Sequence, residues 1–302
     1  MNPASSNNPG SSNNPGSSDE SLATVPSRHD GLDRQHLFGL DFVDAPDLGP
    51  IVDAIAHHHD RPVPESSSAR NDPRPLGAVV TPNVDILVSL DRRAPATVGD
   101  VYRRAQYVLP DGMPVVAASK LLGRPLQARL TGSGLFNALW PRLAADRRRV
   151  VLLCSNEGIA ESLKAEHPDA EFVIPPFFQP ADAINRAVIA KELLTAIERV
   201  EAEYVLLGVG HPKDALIVAE LHRLCGEADR SPPLCLCLGG SFSMYVGQQR
   251  RAPELMQRIG MEWFYRFIQE PRRLFRRYFV DDLAFLGLVR RERSKIEEQA
   301  AS

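Results

Sequence analysis

No apolar run in this chain of 302 residues approaches the roughly 20 needed to cross a bilayer, which excludes a spanning helix and leaves surface attachment open. Cysteine is scarce. Cys154, Cys225, Cys235 and Cys237 are too few for a disulfide framework, and Cys235 and Cys237, two apart in an apolar run, share one face of a strand as reduced core thiols. The first residues carry neither a basic region nor an apolar one, only Asn-Pro-Gly-Ser text, so the expectation is a cytoplasmic protein without a secretory signal. Positive charge is not in excess: 35 Lys and Arg stand against 38 Asp and Glu, which argues against general nucleic-acid binding. No Asp-x-Asp occurs to hold a divalent metal against a sugar diphosphate, and neither a metal nor any other cofactor is expected. A dinucleotide-dependent oxidoreductase would want Gly-x-Gly-x-x-Gly after an early strand. Gly208-Val209-Gly210 lacks the third glycine and lies late in the chain.

What is present falls into three stretches. Residues 1–34 repeat Asn-Asn-Pro-Gly-Ser-Ser and then drift through polar text, too poor in apolar surface to offset ordering entropy, and read as a disordered tail. Residues 35–250 read as an α/β core: a Rossmann-like, largely parallel sheet flanked by helices, interrupted by a Pro/Ser-rich loop at 61–75. A strand is expected at Leu40 to Val43 and a helix from about Pro46 to His58. Further strands are expected at Ala78 to Val80, Arg149 to Cys154, Glu171 to Ile174, Tyr204 to Val209 and Leu234 to Leu238. Helices follow at Val115 to Leu122, Ala181 to Val200 and Asp214 to Leu224. His57, His58 and His59 are consecutive and therefore point to different faces, which favours a solvated helix end over a metal site. Residues 251–302 thread Trp263, Phe264, Tyr265, Phe267, Phe275 and Tyr278 between arginines, a helical, basic and amphipathic appendage that reads either as lying on an anionic membrane surface, the favoured reading, or as packed on the domain with its arginines in solvent.

In an open parallel sheet, ligands bind beyond the carboxyl ends of the strands. Three strands here run into small-residue turns: Cys154-Ser155-Asn156-Glu157-Gly158, Gly208 to Lys213, and Gly239-Gly240-Ser241-Phe242. Gly210, Gly239 and Gly240 let a backbone approach a phosphate closely. Lys213 reads either as a cation for a diphosphate or as an ordinary surface lysine. Asp111, in Leu109-Pro110-Asp111-Gly112, reads either as a turn residue or as a general base at a strand end. Arg129 is a candidate to stabilise a departing diphosphate.

Taken in order, Thr81-Pro82-Asn83, Pro110-Asp111-Gly112, Arg129-Leu130-Thr131-Gly132, Gly208-Val209-Gly210-His211-Pro212-Lys213, Gly239-Gly240-Ser241-Phe242, Arg251-Ala252-Pro253 and Glu262-Trp263-Phe264-Tyr265-Arg266 resemble the WecB/TagA/CpsF glycosyltransferases, glycosyltransferase family 26. The resemblance covers roughly His36 to Arg291. It implies a metal-independent, inverting transfer of a sugar of N-acetylmannosamine, its uronic acid, or glucose type. The donor would be a UDP-sugar and the acceptor a polyprenyl-diphosphate-linked sugar at the inner face of the cell membrane. It also implies Asp111 as catalytic base, Thr81 and Asn83 at the sugar, Arg129 near the donor, and Arg266, Arg273 and Arg276 of the appendage completing the site. Self-association is a family trait, so a homo-oligomer is expected. Two departures stand out. Where the family continues with Gln-Glu this chain has Asp214-Ala215, and Pro175-Pro176-Phe177-Phe178 replaces a glycine-containing turn. The first implies a changed donor, with Asp214 at the altered contact, or a catalytically weakened donor-binding or scaffolding subunit.

Overall fold

Strands β5 (Val150–Leu153), β7 (Tyr204–Leu207) and β8 (Leu234–Cys237) are apolar or aromatic at every position, and every residue in them is buried. Such text suits strands covered on both faces, and the computed structural model, which describes residues 30–60, 76–248 and 282–301, places them inside one sheet. With β1 (Asp33–Leu37), β2 (Leu40–Asp44), β3 (Leu76–Val80), β4 (Ala105–Val108) and β6 (Glu171–Val173), the order is β1-β2-β4-β3-β8-β7-β5-β6. All neighbours are parallel except the β1–β2 hairpin.

The pleat sorts the strand residues into two cores. Val151, Leu153, Val205, Leu207, Cys235 and Cys237 join one; Val150, Leu152, Tyr204, Leu206, Leu234 and Leu236 join the other. The first is covered by α2 (Val84–Arg92), α3 (Ala96–Arg104), α4 (Met113–Leu121), α7 (Ala183–Val200), α8 (Lys213–Glu227) and α10 (Asp282–Ala301). The second is covered by α1 (Gly49–Ala56), α5 (Gly132–Ala145), α6 (Glu157–Glu166) and α9 (Ser241–Tyr245). The result is the Rossmann-like three-layer α/β fold expected from the sequence. Cys235 and Cys237 do share a face, all four cysteines are free and buried, and burial pushes the Cys154 thiol up to about 12.

Several boundaries differ from expectation, most of all at the first strand and the first helix. The polar stretch assigned to a tail through residue 34 already contains the start of β1, where the Arg34 guanidinium is held by the Asp30 carboxylate and by the Leu32 carbonyl at 3.0 Å. The helix expected from Pro46 starts at Gly49, because the Asp47 carboxylate takes the Gly49 N–H at 2.8 Å and forms a turn first. It stops at Ala56, where the buried Tyr204 hydroxyl donates to the carbonyls of Ile55 and Ala56 at 2.9 and 3.0 Å.

From the basic segment 251–302, α10 is described, and it lies against the core. Phe285 and Leu288 are buried, the Phe285 ring is 5.8 Å from that of Phe38, and Glu292 accepts the Phe38 N–H at 2.7 Å. Arg291 pairs with Asp91 of α2 at 2.6 Å. Leu283 and Leu286 point outward. Arg266, Arg273 and Arg276 and the motifs around them lie outside the described residues, as does the loop 61–75.

Candidate functional site

Because the strands are parallel, β3, β4, β7 and β8 all release their chains at one edge of the sheet. Beyond β3 come Thr81, Pro82 and Asn83. Beyond β4 the ladder continues, with Leu109 N–H on the Val80 carbonyl at 2.9 Å and Asp111 N–H on the Pro82 carbonyl at 3.2 Å. Asp111 is thereby fixed beside the Thr81–Asn83 turn. Gly112 follows at φ +134°, a backbone that only glycine adopts without strain, and turns the chain into α4.

The chain then folds back so that Leu130 N–H reaches the Pro110 carbonyl at 2.9 Å. This brings the N-terminus of α5 onto Asp111, whose Oδ2 accepts the Gly132 N–H at 3.3 Å, while Thr131 caps the helix by accepting the Gly134 N–H at 3.0 Å. A half-buried carboxylate thus rests on the positive end of a helix of 14 residues, a favourable place for negative charge. A β-carbon on Gly132 would stand 3.0 Å from the Thr81 hydroxyl and 3.5 Å from that of Ser241. Thr81, Asp111, Gly132 and Ser241 therefore converge. Arg129 is half-buried on the approach to α5. Asn83 has a structural task, since its Oδ1 caps α2 by accepting the Ile86 N–H at 3.2 Å.

The turns after β7 and β8 form the other side. Gly208 lies under the Phe242 ring, where a β-carbon would come within 2.5 Å of Cδ2. Gly239 approaches Gly210 backbone to backbone, its added β-carbon 3.6 Å from the Gly210 Cα. Gly240 is exposed, and its carbonyl accepts the Ser243 hydroxyl at 2.8 Å. Lys213 opens α8 with its ammonium 5.6 Å from the Phe177 ring centre and 4.9 Å from that of Phe178, a cation–π placement just beyond the Gly210 turn. Phe177 is 83% exposed and Phe178 is buried.

Asp214 departs from the expected ligand contact. It is buried at 3% exposure, its Oδ1 accepts the Ala215 N–H at 2.7 Å, and burial pushes its carboxyl up to about 6. His211 reaches inward too, with Nδ1 3.2 Å from the Tyr102 hydroxyl and Nε2 3.1 Å from the Ser89 hydroxyl. Burial, and the charge of Arg93, hold its imidazole down at about 4. Among the described residues no three of His, Cys, Asp and Glu gather to hold a metal; His57 instead closes the end of α1, its Nδ1 2.9 Å from the Asp53 carbonyl.

Sequence reasoning named Asp111, Thr81, Gly210, Lys213, Gly239 and Gly240, and all of them fall on this edge of the sheet. The α5 N-terminus at Thr131-Gly132, Ser241 and His211 stood inside its motifs without a role of their own, and the pairing of Lys213 with Phe177 and Phe178 was passed over. The first had a visible signal, a Thr131 cap before Gly-Ser-Gly and apolar periodic text.

A helix-seated carboxylate and a glycine-lined, lysine-bearing turn, both at the strand ends of a largely parallel sheet with helices on each face, define a Rossmann-like α/β protein whose candidate site lies at those strand ends. Residues 61–299 match the glycosyl transferase WecG/TagA/CpsF family, and the chain belongs to it. Its similar relatives include the N-acetylglucosaminyldiphosphoundecaprenol N-acetyl-beta-D-mannosaminyltransferases of Bacillus subtilis, Bacillus spizizenii and Staphylococcus aureus. The B. subtilis protein is 28% identical over 65% of this chain and 73% of its own length. The B. spizizenii protein is 28% identical over 57% and 64%, and the S. aureus protein (strain MRSA252) 26% identical over 59% and 66%. The chain thus spans about two thirds of the length of these relatives.

Proposed function

We propose that this glycosyltransferase moves a hexosyl group, of N-acetylmannosamine type, from a UDP-sugar to a polyprenyl-diphosphate-linked sugar, with inversion and without a divalent metal. The observation that supports the reading is Asp111 on the N-terminus of α5, at the same strand ends of the sheet as the Gly210–Lys213 turn. Asp111 follows β4, Gly210 follows β7, and β3 and β8 lie between them. Three strand spacings are about 14 Å, which sets the scale of the gap that a donor would bridge in this reading. In this arrangement the carboxylate takes the proton of the attacking acceptor hydroxyl. Gly210 and Gly239 leave room for the diphosphate against their backbones, and Lys213 neutralises the charge that grows as it departs. Thr81 and Ser241 border the sugar between them. Asn83 keeps α2, and with it Thr81, in place, and Arg129 stands behind the α5 end.

The acceptor reading rests on the relatives, whose names specify an undecaprenol-linked acceptor. Among the described residues no helix is long and apolar enough to cross a membrane, so the proposed meeting with such a lipid is at the surface, aided by the arginines of 251–281.

The test is UDP release from a panel of UDP-sugars with a polyprenyl-diphosphate-N-acetylglucosamine acceptor, with and without EDTA. Acceptor-dependent release from one donor, unchanged by EDTA, is expected. Asp111→Asn keeps the acceptor for the Gly132 N–H and should keep UDP affinity while cutting turnover by roughly a hundredfold or more. Turnover unchanged in that variant removes Asp111 from its role, and full loss with EDTA removes the metal-free mechanism.

A further inference from the structure

The turn that carries Gly210 and Lys213 is tied down from beneath by one side chain. His211 leaves the turn in the direction away from the crevice and enters a gap between α2 and α3. One ring nitrogen meets Ser89 of α2 at 3.1 Å and the other meets Tyr102 of α3 at 3.2 Å. The Tyr102 ring stands edge-on to the imidazole, with centres 5.7 Å apart and planes at 81°. Tyr102 is 1% exposed, so its hydroxyl has no water to turn to, and Ser89 is half-buried. A neutral imidazole has one N–H and one lone pair, and a hydroxyl can serve either, so both contacts are satisfied in one tautomer. Burial, and the charge of Arg93, hold the imidazole down at about 4, which favours its neutral form at neutral pH.

These contacts join the two walls of the crevice. α2 begins at the Asn83 cap, next to Thr81 and Asp111, and the His211 turn carries the opposite wall. The same turn is also packed by Gly208 under Phe242, whose ring lies 4.6 Å from that of Phe136 of α5, and by Lys213 on Phe177 and Phe178; these are ring contacts, whereas His211 is tied by directional polar contacts. His211 carries the polar side-chain contacts from the turn to Ser89 of α2 and Tyr102 of α3.

We infer that His211 is a positioning residue for donor binding: held by Ser89 and Tyr102, it sets how far the Gly210–Lys213 backbone stands from the Thr81–Asp111 wall. The inference rests on the proposed donor site. With the pin in place the turn is ordered before the diphosphate arrives, and binding loses less freedom. Without it, the turn must be ordered by the ligand.

The experiment measures UDP affinity by calorimetry, then donor KM and kcat in the transfer assay, for wild type, His211→Phe, Ser89→Ala and Tyr102→Phe. His211→Phe should weaken UDP binding and raise donor KM about tenfold while kcat at saturating donor stays within threefold. Ser89→Ala and Tyr102→Phe should shift KM in the same direction by less, and Ser89→Ala should add nothing on top of His211→Phe. Ser89→Thr, which keeps the hydroxyl, should restore wild-type KM. A His211→Phe protein that melts earlier yet binds UDP as wild type does overturns the inference and leaves a purely structural histidine. So does an additive Ser89→Ala effect. Wild-type protein that binds no UDP overturns the donor site itself, which is a different failure.

Discussion

Asp214→Asn should stabilise the protein at neutral pH and do nothing for it in acid. Asp214 is 3% exposed, and burial raises its carboxyl from 3.8 to about 6 even though the Ala215 N–H at 2.7 Å and the neighbouring Lys213 favour its charged form. In the window between those two values the folded protein holds a proton that the unfolded chain has released. Stability therefore falls as pH rises from 3.8 to 6, and above 6 the whole cost of the buried charge is present, about 3 kcal/mol for a rise of this size. Asparagine keeps an oxygen for the Ala215 N–H and carries no charge at any pH. The difference in unfolding free energy between variant and wild type should grow from near zero at pH 3.5 to about 3 kcal/mol at pH 7.5, or about 6–12 °C in melting temperature. His211 and His222, both held down at about 4 by burial, tilt stability the opposite way, since it falls as pH drops from 6.5 toward 4. They are common to both proteins and cancel in the difference. The assay is chemical denaturation of both proteins at five pH values. A difference independent of pH would refute the reasoning, because a buried carboxylate cannot avoid titrating.

Gly208→Ala should cost about 1–3 kcal/mol, since its β-carbon would lie 2.5 Å from Phe242 Cδ2 and 3.1 Å from the Leu153 carbonyl. In a Phe242→Ala background the added cost should shrink, which a double-mutant cycle in urea measures. Glu292→Leu should cost about 1–3 kcal/mol by leaving the Phe38 N–H without its acceptor, whereas Glu292→Gln, with an oxygen in the same place, should cost less than about 1 kcal/mol in the same titration.

The inner strands were legible because burial on both faces writes itself as unbroken apolar text, as in Val150–Leu153 and Leu234–Cys237. β1 was not. Asp33-Arg34-Gln35-His36-Leu37 is polar, lies at the sheet edge, and is held by pairing with β2 and by Arg34 contacts that reach Gln106, 72 positions away. The helices α2 and α3 were not delimited either; Ala96-Thr97-Val98-Gly99 is weak helical text that forms a helix because Val98, Val101 and Tyr102 bury against the sheet. At the site, strand-end turns betrayed Asp111 and Gly210. What Asp111 leans on comes from a helix end 21 residues later, and what holds His211 comes from Ser89 and Tyr102, 122 and 109 residues away. Distances of that kind are made by topology and leave no local mark.

The contact between Phe38 and Glu292 joins positions 254 apart, which makes the first hairpin and the last helix neighbours. A ribosome delivers β1 and β2 well before α10, so the Phe38 N–H meets the Glu292 carboxylate only after the residues between them have been made. Until then the hairpin turn goes without that acceptor. A product cut short before Asp282 lacks this seam between hairpin and helix altogether and leaves α2 without the cover that α10 gives it, a flaw that a cell's proteases can read from outside without testing for activity.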